Sequence, residues 1–206
     1  MRPDLSIENG YSGVVIGVDE AGRGPLAGSV VAGAVILDPS NIPDGINDSK
    51  KLSVKKRDSL YNVLIKNAIC GIGIASVEEI DEVNILNATY LAMNRAISEV
   101  MKQCAEPPTI ALIDGNKIPK NCPCPAVSVV KGDTKSLSIA AASIIAKVTR
   151  DKMMLELHEK HPEYQWDSNS GYGTKAHREA LDKHGITEHH RKTFSPIKEM
   201  LMPRLV

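Results

Sequence analysis

Apolar residues along this chain follow two rhythms, and the changes between them mark out its elements. Short unbroken runs rich in β-branched residues, bounded by glycine or proline, predict buried strands over 14–18, 28–37, 69–75, 109–114 and 125–130. Apolar positions recurring every three to four residues predict helices instead. One spans 54–67, with Ser53 as its N-cap and Leu60, Val63 and Leu64 on its inner side. Ser76-Val77-Glu78-Glu79 forms a capping box for a short helix that leads through residues 81–84 into a longer one over 85–104. A further helix spans 136–160, and its Ala140-Ala141-Ala142-Ser143 turns are small enough to approach a sheet closely. Residues 164–174 read as a polar, glycine-flanked loop, 175–184 as a short helix, 188–192 as a basic stretch and 195–202 as a last turn.

The second strand follows the first closely enough to be its antiparallel neighbour. The strand over 109–114 is reached through a helix, so it pairs most easily in parallel, which brings Asp114 to the sheet edge that carries Asp19. With 206 residues, 24% charged and 42% hydrophobic, the chain is expected to form one compact soluble unit. No stretch approaches the roughly 18 apolar residues of a membrane span. Met1-Arg2-Pro3-Asp4 leads into a polar segment, so no signal peptide is expected and the cytoplasm is the default location. The four cysteines contain no CxxC pair, and Cys122-Pro123-Cys124 lacks partners at zinc spacing, so reduced structural thiols are expected. Net charge is zero, but residues 1–130 hold 12 Lys and Arg against 15 Asp and Glu, and the remainder 13 against 10. That mild bias permits a basic face for an anionic partner without demanding one.

Three of the apolar strands run into acids: Asp19-Glu20, Asp114 and, shortly past its strand, Asp133. Alone, each reads as a turn former or a helix cap. Four at one sheet edge repel one another unless cations neutralise them, and an all-oxygen ligand set selects hard ions such as Mg²⁺ or Mn²⁺. Gly22-Arg23-Gly24 follows the first pair and allows a backbone to come close to a ligand. It matches neither the P-loop nor the dinucleotide fingerprint. Lys50, Lys51, Lys131, Lys147 and Arg150 are candidate phosphate contacts, although a lone Lys or Arg is commonly a solvated surface residue. Trp166 and Phe194 read as packing residues rather than base-stacking platforms, and Asp151 reads as structural support for the long helix or its neighbours. His189-His190 would suit a metal or a general acid, but adjacent side chains diverge, which disfavours a shared ligand role.

Val18-Asp19-Glu20-Ala21-Gly22-Arg23-Gly24-Pro25-Leu26-Ala27-Gly28 closely resembles the signature of bacterial ribonuclease HII, a type 2 ribonuclease H. Asp48-Ser49-Lys50-Lys51-Leu52, Ile113-Asp114-Gly115-Asn116, Lys131-Gly132-Asp133, residues 141–151 and Gly171-Tyr172-Gly173-Thr174 look like that family's other motifs, in its order. The likeness spans roughly residues 13–197, with Ser29 standing where a proline is expected. It implies an α/β ribonuclease H-like fold: a five-stranded mixed sheet flanked by helices, with a helical C-terminal extension. One domain over 1–206 is expected, its core about 13–162 and the extension about 163–206. It implies a metal-dependent endonuclease that hydrolyses the RNA strand of RNA-DNA hybrids and incises duplex DNA at embedded ribonucleotides, leaving 5′-phosphate and 3′-hydroxyl ends. By motif, Asp19, Glu20, Asp114 and Asp133 would be the catalytic acids and hold two Mg²⁺ or Mn²⁺ ions. Gly22, Arg23, Gly24, Lys50 and Tyr172 would bind substrate, with the glycine-arginine-glycine loop and Tyr172 sensing the ribose 2′-OH. A monomer is expected, without a ribonuclease HIII-type N-terminal domain or a C-terminal clamp-binding peptide. The rival readings are a DNA-specific nuclease or phosphoryl transferase on the same fold, and a hybrid-binding module without catalysis. Four retained acids disfavour the last, because binding alone gains little from clustered like charges.

Overall fold

In the computed structural model, which describes residues 2–202, strands β1 (Val15–Ala21), β2 (Val30–Ile36), β3 (Ile69–Ala75), β4 (Ile110–Asp114) and β5 (Ala126–Val129) form one sheet in the order β3-β2-β1-β4-β5. β1 pairs antiparallel with β2, its close neighbour in sequence as expected, and β2 pairs antiparallel with β3 across a connection that contains α1, whereas β4 and β5 join in parallel. The helices are α1 (Val54–Asn67), α2 (Val77–Met101), α3 (Leu137–Lys160), α4 (Trp166–Asn169), α5 (Lys175–His184) and α6 (Ile197–Met200). Residues 203–206 of the expected extension lie outside the described residues.

Local chemistry accounts for the helix starts. The hydroxyls of Ser53, Ser76, Ser136 and Thr174 each accept a backbone N–H from the first turn, and Glu79 completes the box with Ser76. Asn84, at φ +66°, kinks α2 where the sequence predicts a short helix giving way to a longer one.

The sheet buries both faces. Ile16, Val18, Val30, Ala32 and Ile113 pack with Ala88, Ala92, Met93, Ala96 and Ile97 of α2, while Val35 packs with Leu60 and Leu64 of α1 and Ala140 to Ile145 of α3. Each large side chain so buried contributes about 1.5–3 kcal/mol. On the α3 side, Gly17 touches that helix backbone to backbone, and a methyl added there would overlap the peptide joining Ser138 to Ile139. α3 therefore sits against the very strand that carries Asp19.

The segment over 164–174 differs from the expected polar loop. It contains a 3-10 turn and α4, because Trp166 is fully buried and stacks on Tyr164 with ring centroids 5.0 Å apart. Two buried histidines complete this cluster. His190 Nδ1 accepts from the Thr187 N–H (2.9 Å), so its proton lies on Nε2, which donates to His177 Nε2 (3.1 Å). His177 in turn donates from Nδ1 to the Tyr172 carbonyl (2.9 Å).

Burial, and next the neighbouring His177, push the His190 pKa down to about 3. The unfolded chain binds a proton near pH 6.5 that the folded one refuses. This contribution to stability is therefore complete above about pH 6.5 and is lost as pH falls toward 3. Between pH 6.5 and 4 it amounts to roughly 3 kcal/mol. Urea unfolding across that range is expected to be flatter with pH in His190→Gln than in the wild type, and identical slopes would show that His190 protonates freely within the fold.

Candidate active site

The sheet brings the acids together by register. β1 does not stop before its acids, as its apolar run suggests. It continues through Asp19, Glu20 and Ala21, which pair with Gly33, Ala32 and Val31 of β2. On its other side the ladder with β4 ends at Val18 and Ile113, so Asp19 and Asp114 stand side by side just beyond it. β5 then gives way to Lys131, in the left-handed region at φ +55°, and to the 3-10 turn that carries Asp133 immediately before α3. The Gly132 N–H donates to Asp114 Oδ1 at 2.7 Å, tying the second and third strand ends to each other.

Asp19 is 6% exposed, and its carboxyl is raised well above the usual range, first by burial and then by the charges of Glu20, Asp114 and Asp133. Burial also raises Asp133, with Asp114 and Asp48 adding to it. Burial raises Glu20 too, against the pull of Arg23, whose Nη1 lies 3.2 Å from Glu20 Oε1. Lys50 is affected in the opposite sense. Burial lowers its pKa, but Asp19, Asp48, Asp133 and Asp114 together outweigh that and hold its ammonium protonated. A cluster that raises its own carboxyl groups and draws in a lysine lacks positive charge, and its donors are all oxygen. The acids thus fit hard divalent cations. Among the described residues no three such side chains close around a common point. Asp19 Oδ1 accepts from the Glu20 N–H (2.7 Å) and Asp114 Oδ1 from Gly132, which leaves the other oxygen of each for a cation.

Beside the acids, Asp19, Glu20, residues 21–24, Lys50, Lys147 and Tyr172 line a cleft of about 280 Å³. Tyr172 is half exposed, and a methyl on Gly24 would lie 3.3 Å from its ring. The loop and the tyrosine, 148 positions apart in sequence, therefore share a wall. Leu26 N–H donates to the Gly171 carbonyl at 2.8 Å and fixes that approach. A larger cavity of about 400 Å³ at the other end of β1 holds only one acid, Glu8, whose Oε1 is taken up by Ser136 and Ser138.

The five candidate phosphate contacts part company. Lys50 is exposed at the cleft, Lys51 is exposed beside it and lies 4.0 Å from Asp48, and Lys131 is exposed beside Asp133, whereas Lys147 lines the cleft but is bound to Asp151 at 2.6 Å. Asp151 also pairs with Arg57 at 3.6 Å, in keeping with a supporting role. Arg150 also lines the cleft, but it is 2% exposed and three of its five N–H donors are given to the carbonyls of Ala27, Ser29 and Ser170. Within the basic stretch over 188–192, His190 and Arg191 are both wholly buried.

The family model for ribonuclease HII matches residues 16–196. The chain belongs to the ribonuclease HII family. Ribonuclease HII of Jannaschia sp. (strain CCS1) is 55% identical over 201 residues, covering 98% of this chain and 99% of that protein. The ribonuclease HII in the PCNA complex from Archaeoglobus fulgidus superposes with a TM-score of 0.71 at 28% identity, over 88% of this chain and 95% of that one. Bst-RNase HIII, solved in complex with Mn²⁺, shares the fold with a TM-score of 0.74 at 19% identity, over 92% of this chain and 70% of that one. Ribonuclease HII enzymes are metal-dependent endoribonucleases that cleave the RNA of RNA-DNA hybrids. Among the described residues, no helix is long and apolar enough to cross a membrane.

Proposed function

We propose that this chain hydrolyses the RNA strand of RNA-DNA hybrids and also nicks duplex DNA at an embedded ribonucleotide, using Asp19, Glu20, Asp114 and Asp133 to hold two Mg²⁺ or Mn²⁺ ions. The observation that supports this best is the shared cleft, in which Asp19 and Glu20 of the acid edge meet Gly22-Arg23-Gly24 and the exposed ring of Tyr172. Divalent ions held there would supply positive charge to the scissile phosphate and lower the pKa of water. In the hydrolysis, a water oxygen joins phosphorus and the bond from phosphorus to the 3′-oxygen breaks, leaving 5′-phosphate and 3′-hydroxyl ends. The protein's own part is orientation. Arg23 restrains Glu20, Lys50 adds a fixed positive charge beside the acids, and Tyr172, half exposed in the cleft wall, would offer its hydroxyl to the ribose. Only the 2′-OH separates RNA from DNA at one nucleotide, and a close backbone with a phenol beside it suits that contact.

The test is cleavage of two duplexes that differ in a single 2′-OH. The ribonucleotide duplex should be cut next to that sugar and the all-DNA duplex left whole; equal cleavage would make the chain a general nuclease. In the same assay Tyr172→Phe should lose about one hydrogen bond, 0.5–1.5 kcal/mol or up to roughly tenfold in rate, and Tyr172→Ala more. If both variants cut the ribonucleotide duplex at the wild-type rate, Tyr172 is a packing residue.

A further inference from the structure

Two arginines lie beneath the Gly22-Arg23-Gly24 loop, and the chemistry described so far uses neither. Arg150 is 2% exposed and Arg191 is 0% exposed. Among the described residues neither has a carboxylate within ion-pair distance, and a buried charge without a counter-ion is costly. Burial pushes their pKa values down to about 10 and about 9, and for Arg191 the charge of Arg150 adds to the effect. What offsets this cost is a set of backbone carbonyls. Arg191 donates to Gly22, to Arg23 (2.9 Å) and twice to Gly28 (3.0 and 2.7 Å). Arg150 takes Ala27, Ser29 and Ser170. The tail backbone is fastened to the same loop, with Arg191 N–H donating to Leu26 (2.8 Å) and Gly28 N–H to His189 (2.9 Å).

The direction of these bonds has a consequence for the cleft. In a trans peptide the C=O and the following N–H point opposite ways. Holding the carbonyls of Gly22 and Arg23 inward therefore turns the N–H groups of Arg23 and Gly24 outward, on the side where Asp19, Glu20 and Tyr172 line the cleft. Gly22, at φ +96°, lets the chain make this turn, and a methyl there would run into the Arg150 side chain.

We propose that Arg191 is the positioning residue of the sugar-reading loop: its guanidinium fixes two consecutive peptides so that the Arg23 and Gly24 N–H groups stand ready as donors to the ribose. This rests on the reading that the loop contacts the sugar. A lysine cannot substitute, because a single ammonium lacks the planar fork that reaches Gly22, Arg23 and Gly28 together.

The experiment uses the full chain and Arg191→Lys, measuring affinity for the two duplexes that differ in one 2′-OH, the kinetics of cleavage and calorimetric Mn²⁺ affinity. Arg191→Lys should bind Mn²⁺ as the wild type does, lose its preference for the ribonucleotide duplex and fall on the order of tenfold to a hundredfold in kcat/KM. Guanidinium ion added to Arg191→Ala should restore part of the preference. An Arg191→Lys protein that is less stable but keeps the wild-type preference would overturn the proposal and leave Arg191 as a mere brace. A wild type without any preference would overturn the reading of the loop itself, a different result. Should the variants fail to fold, amide NMR of the wild type decides: the Arg23 and Gly24 N–H signals should shift with the ribonucleotide duplex and not with its all-DNA twin, and equal shifts reject the proposal.

Discussion

Asp19→Asn is expected to melt higher than the wild type when metal is absent, and to cut an RNA-DNA hybrid at no more than about a thousandth of the wild-type rate. Both effects have one origin. Asp19 is buried among Glu20, Asp114 and Asp133, and its charge is disfavoured there until a cation arrives. Asparagine keeps the oxygen that accepts the Glu20 N–H, so the local backbone is preserved while the charge is removed. Thermal melts with a chelator and with Mn²⁺, beside single-turnover cleavage, read the two halves separately. The wild type should gain stability from Mn²⁺ and the variant little. A variant retaining a tenth of the activity would remove Asp19 from the metal site, and one that melts lower without metal would show that its charge is no burden.

Gly17→Ala should produce the largest loss of stability, at least about 3 kcal/mol. Its added methyl would overlap the backbone between Ser138 and Ile139, and a peptide group cannot swing aside as the end of a long side chain can. The damage is not confined to packing. Gly17 lies two residues before Asp19 on β1, and Asp133 lies a few residues before the helix that would be displaced. Lifting α3 off the strand should separate these carboxylates, so Mn²⁺ affinity, measured by calorimetry on the folded fraction, should fall together with stability. Wild-type urea unfolding would mean that the helix has room to move.

Much of this arrangement is legible in the chain because local rules and tertiary structure agree. Ser53, Ser76 and Ser136 cap the helices that their positions announce, and the apolar runs become strands because both faces of the sheet are covered. The acids are legible for the same reason, since each stands where an apolar run gives out. The arginines are not. A positively charged residue in a polar segment reads as surface, and nothing local distinguishes Arg191 from Lys192. The burial of Arg150 is hidden in the same way, because the carbonyls that hold it come from residues 27, 29 and 170. Trp166 is a milder case. Serine, asparagine and glycine around it suggest a loop, and only its stacking on Tyr164 and its bond to His177 order the turn.

The fastening of the loop at residue 22 by a guanidinium at residue 191 also sets an order of assembly. Translation delivers both strand ends, the turn with Asp133 and all of α3 before Arg191 exists. A nascent chain can therefore close its sheet and gather its acids while the loop beside them still lacks three of its carbonyl partnerships. On the proposed reading of the site, the acids that would hold metal are assembled first, and the loop that would read the sugar is fastened only once residue 191 is made. On that reading, a product ending before residue 189 would keep the acid edge and Tyr172 but lose the guanidinium that fastens the loop.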